Sequence, residues 1–294
     1  MGAADAVPGV SGATVALILG IYQDFIGALH QVVRLPNRIR SKPGRQALVN
    51  ALRLLVPLGI GVVCAYYLSS KLLVGPTEEP GLLRRADSAP MCYGFLFGLV
   101  LFSIRQPWKT RQTDSWLHLV VALLAAIAAA WFVGLIPDAA TPPTWMLLLG
   151  GAGAIAMMLL PGVSGSLFLV IVGQYQAVHR AIQDFDITVM AVFALGIGLG
   201  VVAFVPTLKR LLEKKHDLTM AALSGLMAGS LRALWPWKDN YDLKLGPLRN
   251  TEIGDSVPLI CAFALAGGLF VYGLVQLEAK LRARTQPSNV HPVA

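Results

Sequence analysis

A pentapeptide whose residue types suit anion binding occurs twice: residues 8–12 and residues 161–165 both read PGVSG. Proline lacks an amide hydrogen and glycine loosens the backbone, so each copy should interrupt a helix. The serine is a good N-cap residue, and free amides at the start of the next half-helix bind phosphate or carboxylate. Two facing copies predict an anion site. The alternative is two helix kinks that only assist packing, since Gly and Ser are common at contacts between membrane helices.

The candidate substrate-binding residues are the two motifs, the residues directly after them, one cation and two tyrosines. They are Pro8, Gly9, Val10, Ser11, Gly12, Ala13, Thr14, Pro161, Gly162, Val163, Ser164, Gly165, Ser166, Arg53, Tyr22 and Tyr175. Arg53 lies about 10 Å inside its predicted helix, so its charge either faces an anion or extends to the interface. Tyr22 and Tyr175 could donate to a ligand, although tyrosine is also ordinary at membrane interfaces.

The other ionisable residues indicate a function less clearly than the two motifs do. Asp5 precedes the first motif and either caps a half-helix or titrates in a proton relay. The histidines show no metal-ligand spacing, and no His–Glu, Cys–His or Ser–His–Asp grouping predicts hydrolysis. No nucleotide-binding loop of the GxxxxGK[ST] type occurs, so direct use of ATP is not expected. We therefore predict no metal, no cofactor and no enzyme activity.

The composition is that of a membrane protein. The chain is 55% hydrophobic and 14% charged, and its mean hydropathy is +0.64. Soluble domains are about 25% charged, so a soluble globular protein is excluded as the default. The net charge of +8 could indicate nucleic acid. The placement of the basic residues indicates a membrane topology signal instead, and no nucleic-acid partner is predicted.

The elements that must hold the motifs are membrane-spanning helices, each of which needs about 20 mostly apolar residues. Four clear runs and two shorter ones qualify: 47–73, 116–136, 187–208 and 257–277, then 90–104 and 220–235. Each motif then lies either in a broken spanning helix or at the tip of a re-entrant hairpin, which enters and leaves the membrane on one side.

The Lys and Arg residues favour hairpins. If the six other runs cross and the N-terminus is inside, most basic residues fall in inside segments, as the positive-inside rule requires. Both termini are then cytoplasmic. Each half has one hairpin and three crossings, and because three is odd the second half is inverted. The sequence thus predicts an all-α integral membrane protein with an inverted repeat: residues 1–136, residues 137–280, and a cytoplasmic tail at 281–294.

Further matches between the halves support an internal duplication. A glycine and a tyrosine follow each motif at the same distance, an LGIG tetrapeptide comes next, and a pair of glycines then precedes Pro-Trp-Lys. The matching positions are Gly20 and Tyr22 with Gly173 and Tyr175, residues 58–61 with 195–198, and Gly94 and Gly98 with Gly225 and Gly229.

The two motif segments carry a family resemblance. ADAVPGVSGATVALILGIY and LLPGVSGSLFLVIVGQY resemble the two signatures of a bacterial membrane family, once a domain of unknown function, of polyprenyl-phosphate transporters of the PopT type. The resemblance implies a transporter in the inner (cytoplasmic) membrane. It would return undecaprenyl phosphate, the lipid carrier for peptidoglycan and other envelope glycans, from the outer to the cytoplasmic leaflet. The implied partners are this lipid and the bilayer, and homo-oligomerisation is left open.

The first motif departs from the family pattern in two ways. The family commonly reads PGVSGGT, and Ala13 stands where the second glycine would be. Few residues precede Pro8, so the first hairpin is either short or begins upstream.

Two other functions fit parts of the pattern. A polyprenyl-diphosphate phosphatase also uses hairpins, but the PGxSRSG loop of such enzymes carries an Arg, and they use paired glutamates. Here the loop has no Arg and no Glu lies within an apolar run. A carrier for a small soluble anion is the second alternative. A cavity open sideways to the bilayer would favour the lipid, and a closed aqueous cavity would favour the small anion.

Overall fold

The computed structural model describes residues 1–7, 10–34, 42–75, 80–135, 143–241 and 249–285, without the side chains of 281–285, His179 and Gln183. These parts of the chain are helical, and their only extended pairing is an isolated bridge between Lys238 and Asn250. The prediction of an all-α protein is confirmed. Pro8 and Gly9 of the first motif lie outside the described residues.

Thirteen α-helices are described. The first half of the chain contains α1 Gly2–Asp5, α2 Gly12–Ile18, α3 Tyr22–Val33, α4 Lys42–Leu73, α5 Ala89–Ser103, α6 Arg105–Lys109 and α7 Trp116–Val133. The second half contains α8 Met146–Leu159, α9 Gly165–Ile171, α10 Tyr175–Gln183, α11 Ile187–Lys214, α12 His216–Ser230 and α13 Val257–Thr285. A 3₁₀-helix, Leu231–Leu234, continues α12.

Five segments are long and apolar enough to cross a membrane: α4, Ala89–Lys109, α7, α11 and Val257–Lys280 of α13. They correspond to five of the six predicted runs. The sixth run, 220–235, corresponds to α12 and the 3₁₀-helix; α12 begins four residues earlier than predicted, at His216, and has only 15 residues. Large apolar side chains on these helices are exposed, as at Leu269 with 69% of its surface accessible. Such a surface on helices of spanning length is that of an integral membrane protein.

At two contacts, a spanning segment packs on a helix of the other half of the chain. Helix α5 packs on α13, and α7 packs on α12. Glycines of the repeated pairs lie at both contacts. A Cβ at Gly98 would lie 1.8 Å from the carbonyl oxygen of Ala264, and one at Gly225 would lie 2.0 Å from that of Ala122. These positions need glycine because the partner backbone occupies the space of a side chain.

The two motif segments break at matching positions. Helix α8 ends at Leu159, and α9 begins after the second motif, at Gly165. The returning half-helix is then shorter than the apolar run, because Gly173 takes a φ of +70° between α9 and α10. Gly20 takes a φ of +65° between α2 and α3. The glycine that follows each motif at a fixed distance therefore supplies a left-handed turn that other residues rarely adopt.

Candidate functional site

A cavity of about 380 Å³ lies beside the second motif. Its polar lining comes from four places: the second motif and α9, helix α1, helix α4 and helix α10. The polar side chains are those of Ser164, Ser166, Asp5, Tyr66 and Tyr175. Its apolar lining comes from α4, α8, α9, α10 and α11, including Val62, Val63, Ile155, Leu169, Val178 and Phe193. These five polar side chains are named the polar end of the cavity, and the rest of the lining is largely apolar.

Two serine hydroxyls of the polar end lie within hydrogen-bond distance of each other. Ser164 Oγ lies 2.8 Å from Ser166 Oγ, and Ser164 is the N-cap of α9, where its Oγ accepts from the amide of Leu167 at 3.5 Å. A hydroxyl can donate as well as accept, so both side chains can turn toward an oxyanion. Gly165 also lines the cavity, and a Cβ there would lie 2.6 Å from the carbonyl oxygen of Ala154, so glycine lets α9 approach α8 closely.

Asp5 is the contribution of the first segment to this cavity. Its Oδ1 accepts a hydrogen bond from the amide of Gly12 at 2.7 Å, at the first residue of α2. A carboxylate at that position satisfies one of the amides that a helix start leaves without a partner. Asp5 therefore caps α2 while it also faces the cavity.

The side chains of the first motif segment bind the backbone of the second motif segment. Ser11 Oγ donates to the carbonyl oxygen of Met158 at 3.1 Å, and Tyr22 OH donates to that of Leu159 at 2.9 Å. Thr14 Oγ1 accepts from the amide of Gly162 at 2.9 Å. A broken helix in an apolar interior leaves backbone groups that water cannot satisfy. Ser11, Thr14 and Tyr22, which are nearly fully buried, satisfy three of them.

The structure therefore brings together only part of the predicted site. Ser164, Gly165, Ser166, Tyr175 and Asp5 line one cavity. Arg53 is exposed on α4, outside that lining. The remaining described residues of the two motif segments are buried and do not line the cavity: Val10, Ser11, Gly12, Ala13, Thr14, Tyr22, Pro161, Gly162 and Val163.

One polar lining residue was not predicted from the sequence. Tyr66 shares a face of α4 with Val62 and Val63, four and three residues earlier, and all three line the cavity. Tyr66 is followed by Tyr67, and tyrosines toward the end of a long apolar run are also typical of a membrane interface, so the sequence gave no signal that Tyr66 would face a ligand.

The basic groups near one end of the fold bind protein groups. Arg232 donates to the carbonyl oxygen of Ala130, in the last turn of α7, at 2.9 Å. Lys238 Nζ donates to the carbonyl oxygen of Ala233 at 3.1 Å and to Asn250 Oδ1 at 3.0 Å. Both side chains therefore have structural partners outside the cavity.

Lys238 should make stability depend on pH. It is 8% exposed, and burial lowers the pKa of its ammonium group to about 8. Between this value and the usual 10.4 the unfolded chain binds more protons, so the free energy of unfolding should rise with pH in this window, by roughly 3 kcal/mol in total. Unfolding of wild-type protein and Lys238→Met, followed from pH 7.5 to 10.5, should show this rise only in wild type. Parallel curves would contradict the assignment.

No group of three or more His, Cys, Asp or Glu side chains that could hold a metal ion occurs in the described ranges. The polar end of the cavity contains hydroxyl groups and one carboxyl group, a set that suits recognition of a phosphate or another hydrogen-bonding head better than coordination of a metal.

Comparisons with known proteins agree with a transporter. The family model described as undecaprenyl phosphate translocase-like matches residues 1–247. A protein of Vibrio cholerae serotype O1 named polyprenyl-phosphate transporter is 31% identical over 263 residues, which cover 88% of this chain and 81% of that protein. Both names are those of transporters and not of enzymes, as predicted. No solved structure gave a significant match.

Proposed function

Because the chain belongs to the undecaprenyl phosphate translocase-like family, we propose that it carries polyprenyl phosphate, of which undecaprenyl phosphate is the bacterial example, across the inner membrane. The direction is from the outer to the cytoplasmic leaflet, which returns the carrier for peptidoglycan and other envelope glycans. The transporter name of the 31%-identical relative supports this proposal.

The observation that carries the proposal is the two-part lining of the cavity. The serine and tyrosine hydroxyls at its polar end can donate to the oxygens of a phosphate headgroup. The apolar wall, formed by Val62, Ile155, Val178 and Phe193 among others, suits the start of a prenyl chain. A small soluble anion would leave that wall without a partner, so the lining favours a lipid.

We place the headgroup on the second motif segment, with Asp5 as the contribution of the first. Ser164 and Ser166 line the cavity and hydrogen-bond each other, whereas Ser11, Thr14 and Tyr22 are bonded to backbone groups and do not line it. The two copies of the motif then have different tasks. One binds the ligand and the other supports the binding segment.

The architecture that we propose is two inverted halves, residues 1–136 and 137–280, each with a re-entrant hairpin and three crossings. Two observations support this architecture. Helices follow in the same order in both halves. Corresponding helices also make corresponding contacts, since α1 packs on α4 as α8 packs on α11, and α5 packs on α13 as α12 packs on α7. Rocking of one half against the other would give alternating access. The positive-inside rule places both termini and the tail at 281–294 in the cytoplasm.

The proposal is tested with full-length protein in vesicles that contain a short-chain fluorescent polyprenyl phosphate. Headgroups on the outer leaflet should become inaccessible faster than in empty vesicles. The double variant Ser164→Ala/Ser166→Ala should lower the rate of this transfer at least about tenfold, since hydrogen bonds to a charged group contribute about 1.5–3 kcal/mol each.

The matched control is Ser103→Ala, which removes a buried serine hydroxyl that donates to the carbonyl oxygen of Leu99, away from the cavity. It should transport at the wild-type rate. A wild-type rate equal to that of empty vesicles would refute the function. In cells, depletion of the protein should raise undecaprenyl phosphate at the outer surface, and a fall would refute the direction.

A further inference from the structure

The charge of the cavity is the opposite of what a phosphate site usually carries. Among the described residues that line it, Asp5 provides the only carboxyl group, and there is no Lys or Arg. The nearest basic side chains on the lining helices are exposed and lie outside the lining. Arg180 of α10 stands between the lining residues Val178 and Ile182, and Lys71 of α4 follows Tyr66 by about 8 Å of helix.

The other titratable groups around Asp5 are few. The phenols of Tyr66 and Tyr175 line the same cavity, and the α-amino group of Met1 lies near Asp5 on its own element. Helices α2, α8 and α9 bring no titratable side chain, and Arg180 of α10 is exposed and outside the lining. No group in this set provides a permanent side-chain cation opposite the carboxyl group.

A phosphate monoester carries a charge of about −1.5 to −2 at neutral pH. Beside an ionised carboxylate in a mostly apolar cavity, it would meet a like charge with little solvent screening, which strongly favours protonation of one of the two groups. The geometry of Asp5 suits that proton. Its Oδ1 accepts from the Gly12 amide, so Oδ2 can carry the proton and donate to a phosphate oxygen.

We propose, resting on the function proposed above, that polyprenyl phosphate enters this cavity together with one proton, which is held on Asp5. The proton comes from hydronium in the water on the side to which the cavity is open, whose O–H bond breaks as an O–H bond forms at Oδ2. On release the Oδ2–H bond breaks and water on the other side takes the proton, without electron transfer. Lipid and proton then move in the same direction, so a proton gradient directed into the cell drives the lipid toward the cytoplasmic leaflet.

The substitution Asp5→Asn tests whether binding of the lipid requires a proton on Asp5. The amide oxygen of Asn can still accept from Gly12, but the side chain no longer titrates. Farnesyl phosphate is titrated into purified full-length protein from pH 6 to 8.5. The ligand itself has a pKa near 6, and this contribution cancels when the dissociation constant of wild type is divided by that of Asp5→Asn.

We expect this ratio to rise with pH toward about tenfold per pH unit, as linkage to one proton requires. Asp24→Asn, which removes an exposed carboxylate in the first turn of α3, should follow wild type. A ratio that stays constant across the range, with both proteins binding, would overturn the proton inference and leave the transport function intact. No binding of farnesyl phosphate by wild type at any pH would instead count against the proposed function.

A second measurement needs no variant. In weakly buffered solution, wild type should take up about one proton for each molecule of farnesyl methyl phosphate that binds, since this diester has no second ionisation of its own. Uptake near zero with saturated binding would overturn the inference, even if Asp5→Asn fails to fold.

Discussion

Ser164→Asp is expected to abolish polyprenyl-phosphate transport while the protein stays folded. Aspartate is as good an N-cap as serine, so the start of α9 should keep its cap. The new carboxylate would lie in the polar end of the cavity, beside Ser166. Two unit charges about 4 Å apart repel by roughly 4 kcal/mol at an effective dielectric constant of 20. Such a repulsion would weaken binding of the phosphate headgroup by about 10²- to 10³-fold. The vesicle assay measures the loss of transport, and the midpoint of thermal unfolding shows whether the protein stays folded.

The chain offers a closely matched control in Ser115→Asp. Ser115 is also an N-cap, and its Oγ accepts from the amide of Leu117 at 3.3 Å, but it is exposed at the start of α7. The same substitution there should leave transport unchanged. If Ser164→Asp transports as fast as Ser115→Asp, the headgroup does not bind at the second motif.

Gly162→Ala is expected to lower the free energy of unfolding by about 2–5 kcal/mol. Gly162 has a φ of +84°, where a Cβ is strained by about 1–2 kcal/mol. A Cβ would also lie 2.6 Å from the Cα of Met227, and such overpacking costs about 1–3 kcal/mol more. The midpoint of thermal or denaturant unfolding in a fixed detergent reports the loss.

Gly198→Ala makes the same chemical change within α11, where no atom lies within 4 Å of the added Cβ. That variant should be unchanged or more stable by about 0.5–1 kcal/mol, because alanine favours helices. Equal stability of the two variants would show that the turn at the second motif tolerates a side chain.

Hydropathy predicted most of the fold because the bilayer imposes a minimum length on an apolar helix. The run at 220–235 misses the start of α12, because the first turn of that helix contains the polar residues His216 and Asp217, which hydropathy does not count as part of a span. The motif also predicted where helices break, since Pro and Gly act locally.

The different surroundings of the two motifs could not be predicted in the same way. Ser11 and Ser164 occupy the same place in identical pentapeptides, yet Ser11 donates to Met158 and Ser164 faces the cavity. Their partners come from segments far away in the sequence. Tyr66 reaches the cavity only through the packing of α4 beside α1, which local spacing does not encode.

The hydrogen bonds from Ser11, Thr14 and Tyr22 to the second motif segment also restrict how the transporter can move. Separation of the two segments would leave buried backbone groups without partners, at a cost of about 1–3 kcal/mol for each group. The junction should therefore stay closed through the transport cycle and act as the pivot. The moving parts would be the helices around it, and the lipid headgroup would change sides while its binding segment stays nearly fixed.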